Sequence, residues 1–179
     1  MKTYIILLKG INVGGHKKVP MAELRELLSK SGFENVKTYI QSGNVILQSA
    51  EINIQNIEKE IKNAILDHFG FEVFVLAKTR QELKCIFDNS PFIKEKKVKS
   101  YFTMLHQTPS AELVKIASEK KYEGEEYFII ENCIYYFCAK GYGQAKFNMT
   151  LFERKLKTTA TSRNYNTMVK LLSLSSELN

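Results

Sequence analysis

Residues 4–20 read Y-I-I-L-L-K-G-I-N-V-G-G-H-K-K-V-P, and the succession of element types in this stretch decides the fold. Tyr4–Leu8 is an unbroken apolar run, which predicts a strand over 3–9 that is buried on both faces. Glycines at 10, 14 and 15 end it. From Pro20 onward, Met21, Leu24, Leu27 and Leu28 recur at helical spacing, which predicts a helix over 20–31 with Gly32 as its stop. Strand, glycine-rich basic loop and helix start therefore follow one another directly.

Working outward, strands are predicted at 35–40 and 45–49 around the turn Gln41-Ser42-Gly43-Asn44. Ile54, Ile57, Ile61, Ile65 and Phe69 stripe a helix over 53–69, and a strand over 71–76 follows. This β-α-β-β-α-β order is that of a ferredoxin-like unit. Thr79 with Glu82 three residues on opens a helix over 80–88. A second series follows: strand 98–105, helix 110–121, strand 126–131, strand 133–139 with Glu131-Asn132 as its turn, helix 148–156, and a helix over 163–174 where a last strand would stand. The fold class is thus α+β, two tandem ferredoxin-like (βαββα) units with antiparallel sheets and a helical C-terminus. The expected division is a first unit over 1–78, a connecting helix and loop over 79–97, and a second unit with C-terminal helices over 98–179. Apolar residues on both faces of the strands at 4–8 and 133–138 predict that each sheet has its second face covered, by the other sheet or by a partner.

The composition, 44% hydrophobic and 25% charged, is that of a soluble globular protein, and no apolar run reaches the roughly 18 residues of a membrane span. The chain starts on strand-like residues, so no signal peptide is expected, and the location expected is cytoplasmic. Cys85, Cys133 and Cys138 are read as reduced, buried thiols. Neither they nor the three scattered histidines have metal-ligand spacing, and no metal or cofactor is expected.

The net charge of +7 is concentrated at the chain ends. Lys2, Lys9, Lys17 and Lys18 have no acid among residues 1–22, and seven basic residues over 140–179 face only Glu153 and Glu177. Basic loops with exposed amides suit an anion. Because the first two strands of such a unit run parallel, the loop after the first and the hairpin after the second share one sheet edge. That places Gly10, Asn12, Gly14, Gly15, Lys17 and Lys18 beside Gln41, Ser42 and Asn44. The alternative is purely structural: glycines allowing positive φ, and Ser, Gly and Asn serving the turn. Lys146 after the glycine-bracketed Gly141–Gly143 segment is a further candidate. So are Arg163, Asn164 and Asn166, placed in the first turn of the last helix, where Thr161 or Ser162 would cap. A cation there implies either an external anion or an internal brace.

No nucleophile elbow or carboxylate pair stands out, and no catalytic residue is assigned. The strand aromatics lack the RNA-binding consensus and are read as core. The leading expectation is a non-catalytic binding module for a phosphorylated small molecule or a nucleic acid. An enzyme acting on a phosphorylated small molecule and a structural or protein-interaction module are the alternatives.

L-L-K-G-I-N-V-G-G (7–15), P-M-A-E-L (20–24), G-F-E-N-V-K-T-Y-I-Q-S-G-N-V (32–45) and T-S-R-N-Y-N-T-M-V-K-L-L (161–172) resemble the motifs of domain-of-unknown-function family 1697. The family's closing aromatic is often tryptophan and is here Tyr165. Its Ser-Lys-Leu type segment stands here as Ala145-Lys146-Phe147. The resemblance implies a small bacterial cytoplasmic protein of α+β fold with no established activity. It carries over no catalytic residue.

Overall fold

The apolar run at the N-terminus forms β1 (Lys2–Lys9), and the helical stripe that follows forms α1 (Met21–Lys30), closed by Gly32 at φ +93°. β2 (Glu34–Tyr39) and β3 (Asn44–Ser49) make the predicted hairpin. α2 (Ile54–Phe69) buries Ile57, Ile61 and Ile65; its N-cap Asn53 accepts from the Gln55 amide at 2.9 Å, and Gly70 ends it in the left-handed region at φ +78°. β4 (Phe74–Thr79) lies three residues later than the sequence suggests. The computed structural model describes residues 1–178, so Asn179, the end of the second expected unit, lies outside the described residues.

These elements form an antiparallel sheet of order β2-β3-β1-β4, the ferredoxin-like arrangement. Tyr4, Ile6 and Leu8 of β1, Val45 and Leu47 of β3, and Val75 and Ala77 of β4 pack with Leu24, Leu28 and the α2 isoleucines in one core. Ile5, Leu7, Ile46 and Leu76, on the opposite face of the same strands, are also fully or almost fully buried, as the two-sided apolar pattern predicts. Each such side chain contributes about 1.5–3 kcal/mol by leaving water.

The chain divides into two compact units. One comprises Met1–Lys84 with the stretch from Lys170 onward; the other is Cys85–Val169. Within the first, the C-terminal stretch is tied down by Gln48 Nε2 donating to the Leu178 carbonyl at 2.6 Å and by Lys37 pairing with Glu177 at 3.1 Å.

α3 (Arg80–Asp88) opens with the expected capping box: Glu82 Oε2 accepts from the Thr79 amide at 2.7 Å, and Thr79 Oγ1 accepts from the Glu82 amide at 3.2 Å. A single helical turn, α4 (Lys94–Lys97), precedes β5 (Tyr101–Leu105). α5 (Ala111–Ser118), β6 (Glu125–Ile130), β7 (Cys133–Cys138) and α6 (Met149–Leu156) follow.

The segment after α6 departs from the sequence reading. Residues 160–164 are a strand, β8 (Ala160–Asn164), hydrogen-bonded to β5 in register from Tyr101 opposite Asn164 to Leu105 opposite Ala160. It completes a second sheet of order β6-β7-β5-β8, so the second unit has all four strands. α7 (Tyr165–Ser176) begins only afterwards. Thr161 and Ser162 therefore cap nothing, and Arg163 and Asn164 are strand residues rather than helix starters. The strand escapes sequence reading because its side chains are polar yet packed: Thr103 Oγ1 donates across the pair to Ser162 Oγ at 3.0 Å, a cross-strand hydroxyl contact. Among the cysteines, Cys133 and Cys138 are buried as expected, whereas Cys85 is exposed on α3.

Candidate functional site

Both β1 and β2 run antiparallel to β3, so their C-terminal ends reach the same sheet edge, and the loop after β1 meets the β2–β3 turn there. The junction is Asn12. Its Nδ2 donates to the Gln41 carbonyl at 2.8 Å and to the Val19 carbonyl at 3.0 Å, and its Oδ1 accepts from the Val19 amide at 2.8 Å. Asn12 has φ +56°, a conformation asparagine tolerates better than most residues, and its amide bonds the Lys17 carbonyl at 3.1 Å. The turn is locked from below by Gly43. Its carbonyl accepts from the Leu8 amide at 2.8 Å, and a Cβ at Gly43 would stand 2.6 Å from Leu8 Cβ.

Asn12, Gly15, Lys18, Val19, Pro20 and Gln41 line an open cleft of about 400 Å³ at this edge. The amides of Gly14, Gly15, Lys17 and Lys18 donate no hydrogen bond among the described residues. Gly14 and Gly15 hold φ +58° and +78°, the two central positions of a type I′ turn closed by the His16 amide on the Val13 carbonyl at 3.0 Å. The exposed Lys18 ammonium and the Gln41 side-chain amide have no protein partner among the described residues. Pro20, at the N-cap of α1, supplies no side-chain cap for the orphan amides of the first helical turn.

The other residues expected at this edge are occupied. Lys17 Nζ turns away and donates to the Glu72 carbonyl at 2.6 Å, with the Phe71 ring 6.0 Å below. Asn44 is fully buried; its Nδ2 donates to the Tyr39 carbonyl at 3.1 Å and to Ser42 Oγ at 2.9 Å, so Asn44 and Ser42 brace the turn. Gly10 sits at the exit of β1 at φ +72°.

Lys146, Arg163, Asn164 and Asn166 belong to the second unit. Lys146 carries an exposed side chain, and its amide donates to Glu125 Oε1 at 2.5 Å. The same carboxylate accepts from the Phe147 amide at 3.0 Å and from the Tyr136 hydroxyl at 2.9 Å. Burial first, and then this bond to a carboxylate, pushes the Tyr136 phenol upward. Arg163 is 8% exposed; its Nη1 donates to Thr161 Oγ1 at 2.9 Å and to the Ser162 carbonyl at 2.8 Å, and desolvation lowers its pKa to about 10. Asn164 Oδ1 accepts from the Thr167 amide at 2.9 Å and so caps α7, the role the sequence assigned to Thr161 or Ser162. Asn164 and Asn166, with Lys99 and Tyr101, border a small hollow of about 120 Å³.

The sequence pattern of the family described as protein of unknown function, DUF1697, matches residues 1–135. The chain belongs to DUF1697. No curated protein matches it. A solved structure, that of the conserved bacterial protein SP0830 from Streptococcus pneumoniae, shares the fold at a TM-score of 0.77 and 24% identity, covering 97% of this chain and 98% of that one. The match to DUF1697 spans the whole Gly10–Pro20 loop and the β2–β3 turn.

Two features of this DUF1697 chain were not singled out from sequence. Glu125, which holds the Lys146–Phe147 backbone, looks like any other acid in a charged stretch. Val13 and Ile40, 67% and 51% exposed, flank the Asn12–Gln41 bond. Ile40 could have been noticed as a bulky apolar residue adjoining a polar turn.

Proposed function

We propose that the first unit is a non-catalytic binding module for a phosphorylated ligand or nucleic acid, held at the loop between β1 and α1. The observation that carries this reading is the set of unbonded amides at Gly14, Gly15 and Lys18 beside the unpaired Lys18 ammonium. Unbonded backbone N–H groups and a lysine ammonium attract an anion, and the N-terminus of α1 adds roughly half a positive charge. The Gln41 amide orients the ligand by neutral hydrogen bonding. Asn12 and Asn44 hold the two walls in place. Lys146, Arg163, Asn164 and Asn166, in the second unit, stand outside this reading.

The test is titration of the isotope-labelled full chain with inorganic phosphate and with a short single-stranded oligonucleotide, followed through backbone amide shifts. Saturable shifts at Gly14, Gly15 and Lys18, lost in Lys18→Ala, are expected. Oligonucleotide affinity that falls steeply with salt identifies nucleic acid, because counterions are released on binding. Amides unmoved by either probe refute the proposal.

A further inference from the structure

Each sheet has two outer strands, and the chain itself guards the outer edges of β2, β4 and β8. On β4, the Ala77 amide donates to Glu58 Oε1 at 2.9 Å and the Thr79 amide to Glu82 Oε2 at 2.7 Å. On β8, the Ala160 amide donates to Glu153 Oε1 at 2.7 Å, and the Ser162 carbonyl accepts from Arg163 Nη1 at 2.8 Å. On β2, the register shifts between Glu34 and Lys37, with Asn35 at φ +51°, and this irregularity breaks the edge. β6 has no such device among the described residues. The Ala139 amide bonds the Gly124 carbonyl at 3.2 Å, and the register then runs without a shift from Glu125 opposite Cys138 to Ile130 opposite Cys133. The even-numbered residues of β6 therefore bond β7, while Tyr127 and Ile129 turn their amides and carbonyls to the open edge. Those backbone groups have no partner among the described residues.

A hollow of about 200 Å³ lies along this strand, lined by Lys121, Tyr122 and the run from Glu125 to Phe128. Tyr122 carries a buried hydroxyl with no hydrogen-bond partner among the described residues. Phe128 is 45% exposed, on the face opposite the one where Tyr127 and Ile129 join the core. The charge here is opposite to that of the whole chain: residues 119–131 hold five glutamates and two lysines, a local charge of −3 in a chain of +7. Glu125 is engaged by the Lys146 and Phe147 amides, and Glu126 by Lys96 at 2.5 Å. Glu123 and Glu131, just before and just after β6, are exposed and have no hydrogen-bond or ion-pair partner among the described residues.

We propose that the open edge of β6 is a docking site for an extended segment of a partner protein, about six residues of alternating apolar and polar side chains with a basic residue at each end. Its backbone bonds Tyr127 and Ile129 by strand addition, an apolar side chain covers Phe128, and its basic ends meet Glu123 and Glu131. A second copy of this chain is the poorer occupant. In the antiparallel registers of fullest overlap, centred on Tyr127 or on Phe128, Glu131 of one copy stands opposite Glu123 or Glu125 of the other, and like charges directly opposite are destabilising.

The experiment is calorimetric titration and hydrogen exchange of the full chain with two capped peptides of alternating valine and threonine, one with lysine at both ends and one with glutamate. The lysine-ended peptide is expected to bind about tenfold more tightly, in spite of the positive charge of the chain as a whole. In the free protein the Tyr127 and Ile129 amides exchange rapidly and the Phe128 amide slowly; the bound peptide makes all three slow. Replacing both free carboxylates, Glu123→Gln with Glu131→Gln, leaves the strand's bonds intact and reduces the preference for lysine ends to about threefold or less. Equal affinity of the parent protein for the two peptides overturns the assigned charge of the partner. Binding that leaves Tyr127 and Ile129 in rapid exchange overturns the assigned edge. Protection of both amides that rises with protein concentration in the absence of peptide overturns the proposal in favour of a second copy. Failure of both peptides to bind overturns it outright.

Discussion

Replacing Asn12 with aspartate changes one side-chain group and tests the whole cleft. Both Nδ2 protons of Asn12 are spent, on the carbonyls of Val19 and Gln41, while Oδ1 accepts from the Val19 amide. A carboxylate keeps the accepted bond and strengthens it, but it has no donor for either carbonyl and sets a negative charge about 3 Å from both. Val19 is buried, so losing its partner costs about 1–3 kcal/mol, whereas the exposed Gln41 carbonyl recruits water at a cost of about 0.5 kcal/mol. Repulsion between carboxylate and carbonyls adds to this, and the charge-assisted bond to the Val19 amide returns about 1 kcal/mol. The net loss is about 1–3 kcal/mol, or about 2–12 °C in the melting temperature of a chain of this length. The loss also depends on pH. Protonating the carboxyl restores one donor, so the neutral form is favoured in the folded state and the folded-state pKa rises above the unfolded value. Stability relative to the asparagine protein is then regained as pH falls through that raised pKa. Circular dichroism melts at pH 7 and pH 4 measure both effects. Melting curves for Asn12→Asp that match the parent protein at pH 7, with no dependence on acid, would refute the bonding described at this junction.

Three further outcomes follow from the geometry. Gly43→Ala should lose about 2–5 kcal/mol in urea denaturation, from positive-φ strain and the 2.6 Å approach to Leu8 Cβ, whereas Gly15→Ala, with open space around it, loses about 1 kcal/mol; equal losses would contradict the packing of the turn on β1. The Glu51 carboxyl is held below its usual range, chiefly by the Asn53 amide and then by the Asn56 side chain, so its contribution is full above the ordinary carboxyl pKa and fades as pH falls through the lowered value. Glu51→Gln should therefore melt below the parent protein at pH 7 and converge with it in acid, and a gap that persists at pH 2 would count against this. Glu125→Gln replaces one acceptor oxygen with a donor facing other donors, at a cost of about 2–3 kcal/mol, and hydrogen exchange at Lys146 and Phe147 should accelerate; unchanged protection there would rule out the carboxylate clamp.

Much of the architecture was legible because hydrophobic periodicity reports burial directly. The isoleucine stripe of α2 and the two-sided apolar runs of β1 and β7 led to the observed elements. The Thr79–Glu82 capping box marked the start of α3. β8 was missed for the complementary reason. A-T-S-R-N has no apolar alternation, and its propensity for a strand comes from partners on β5 that lie about 60 residues earlier, such as Thr103 opposite Ser162. A helix start was inferred where Asn164, four residues after the strand begins, does the capping.

The convergence of the Gly10 loop with the β2–β3 turn was likewise legible, since it depends only on strand direction. The division of labour within it was not. Asn12, Asn44 and Lys17 have the same chemistry as good ligand contacts, and nothing local to them distinguishes a brace from a contact. What separates them is unused hydrogen-bonding capacity. Both Nδ2 protons of Asn12 and of Asn44 are committed within the fold, and Lys17 is committed to the Glu72 carbonyl, while Lys18 and the Gln41 side chain are not. Capacity of this kind is a property of the assembled edge rather than of the residue. A turn rich in asparagine therefore advertises more binding than it can perform. The groups able to meet a ligand are the ones that the fold leaves unbonded, the amides of Gly14 and Gly15 among them.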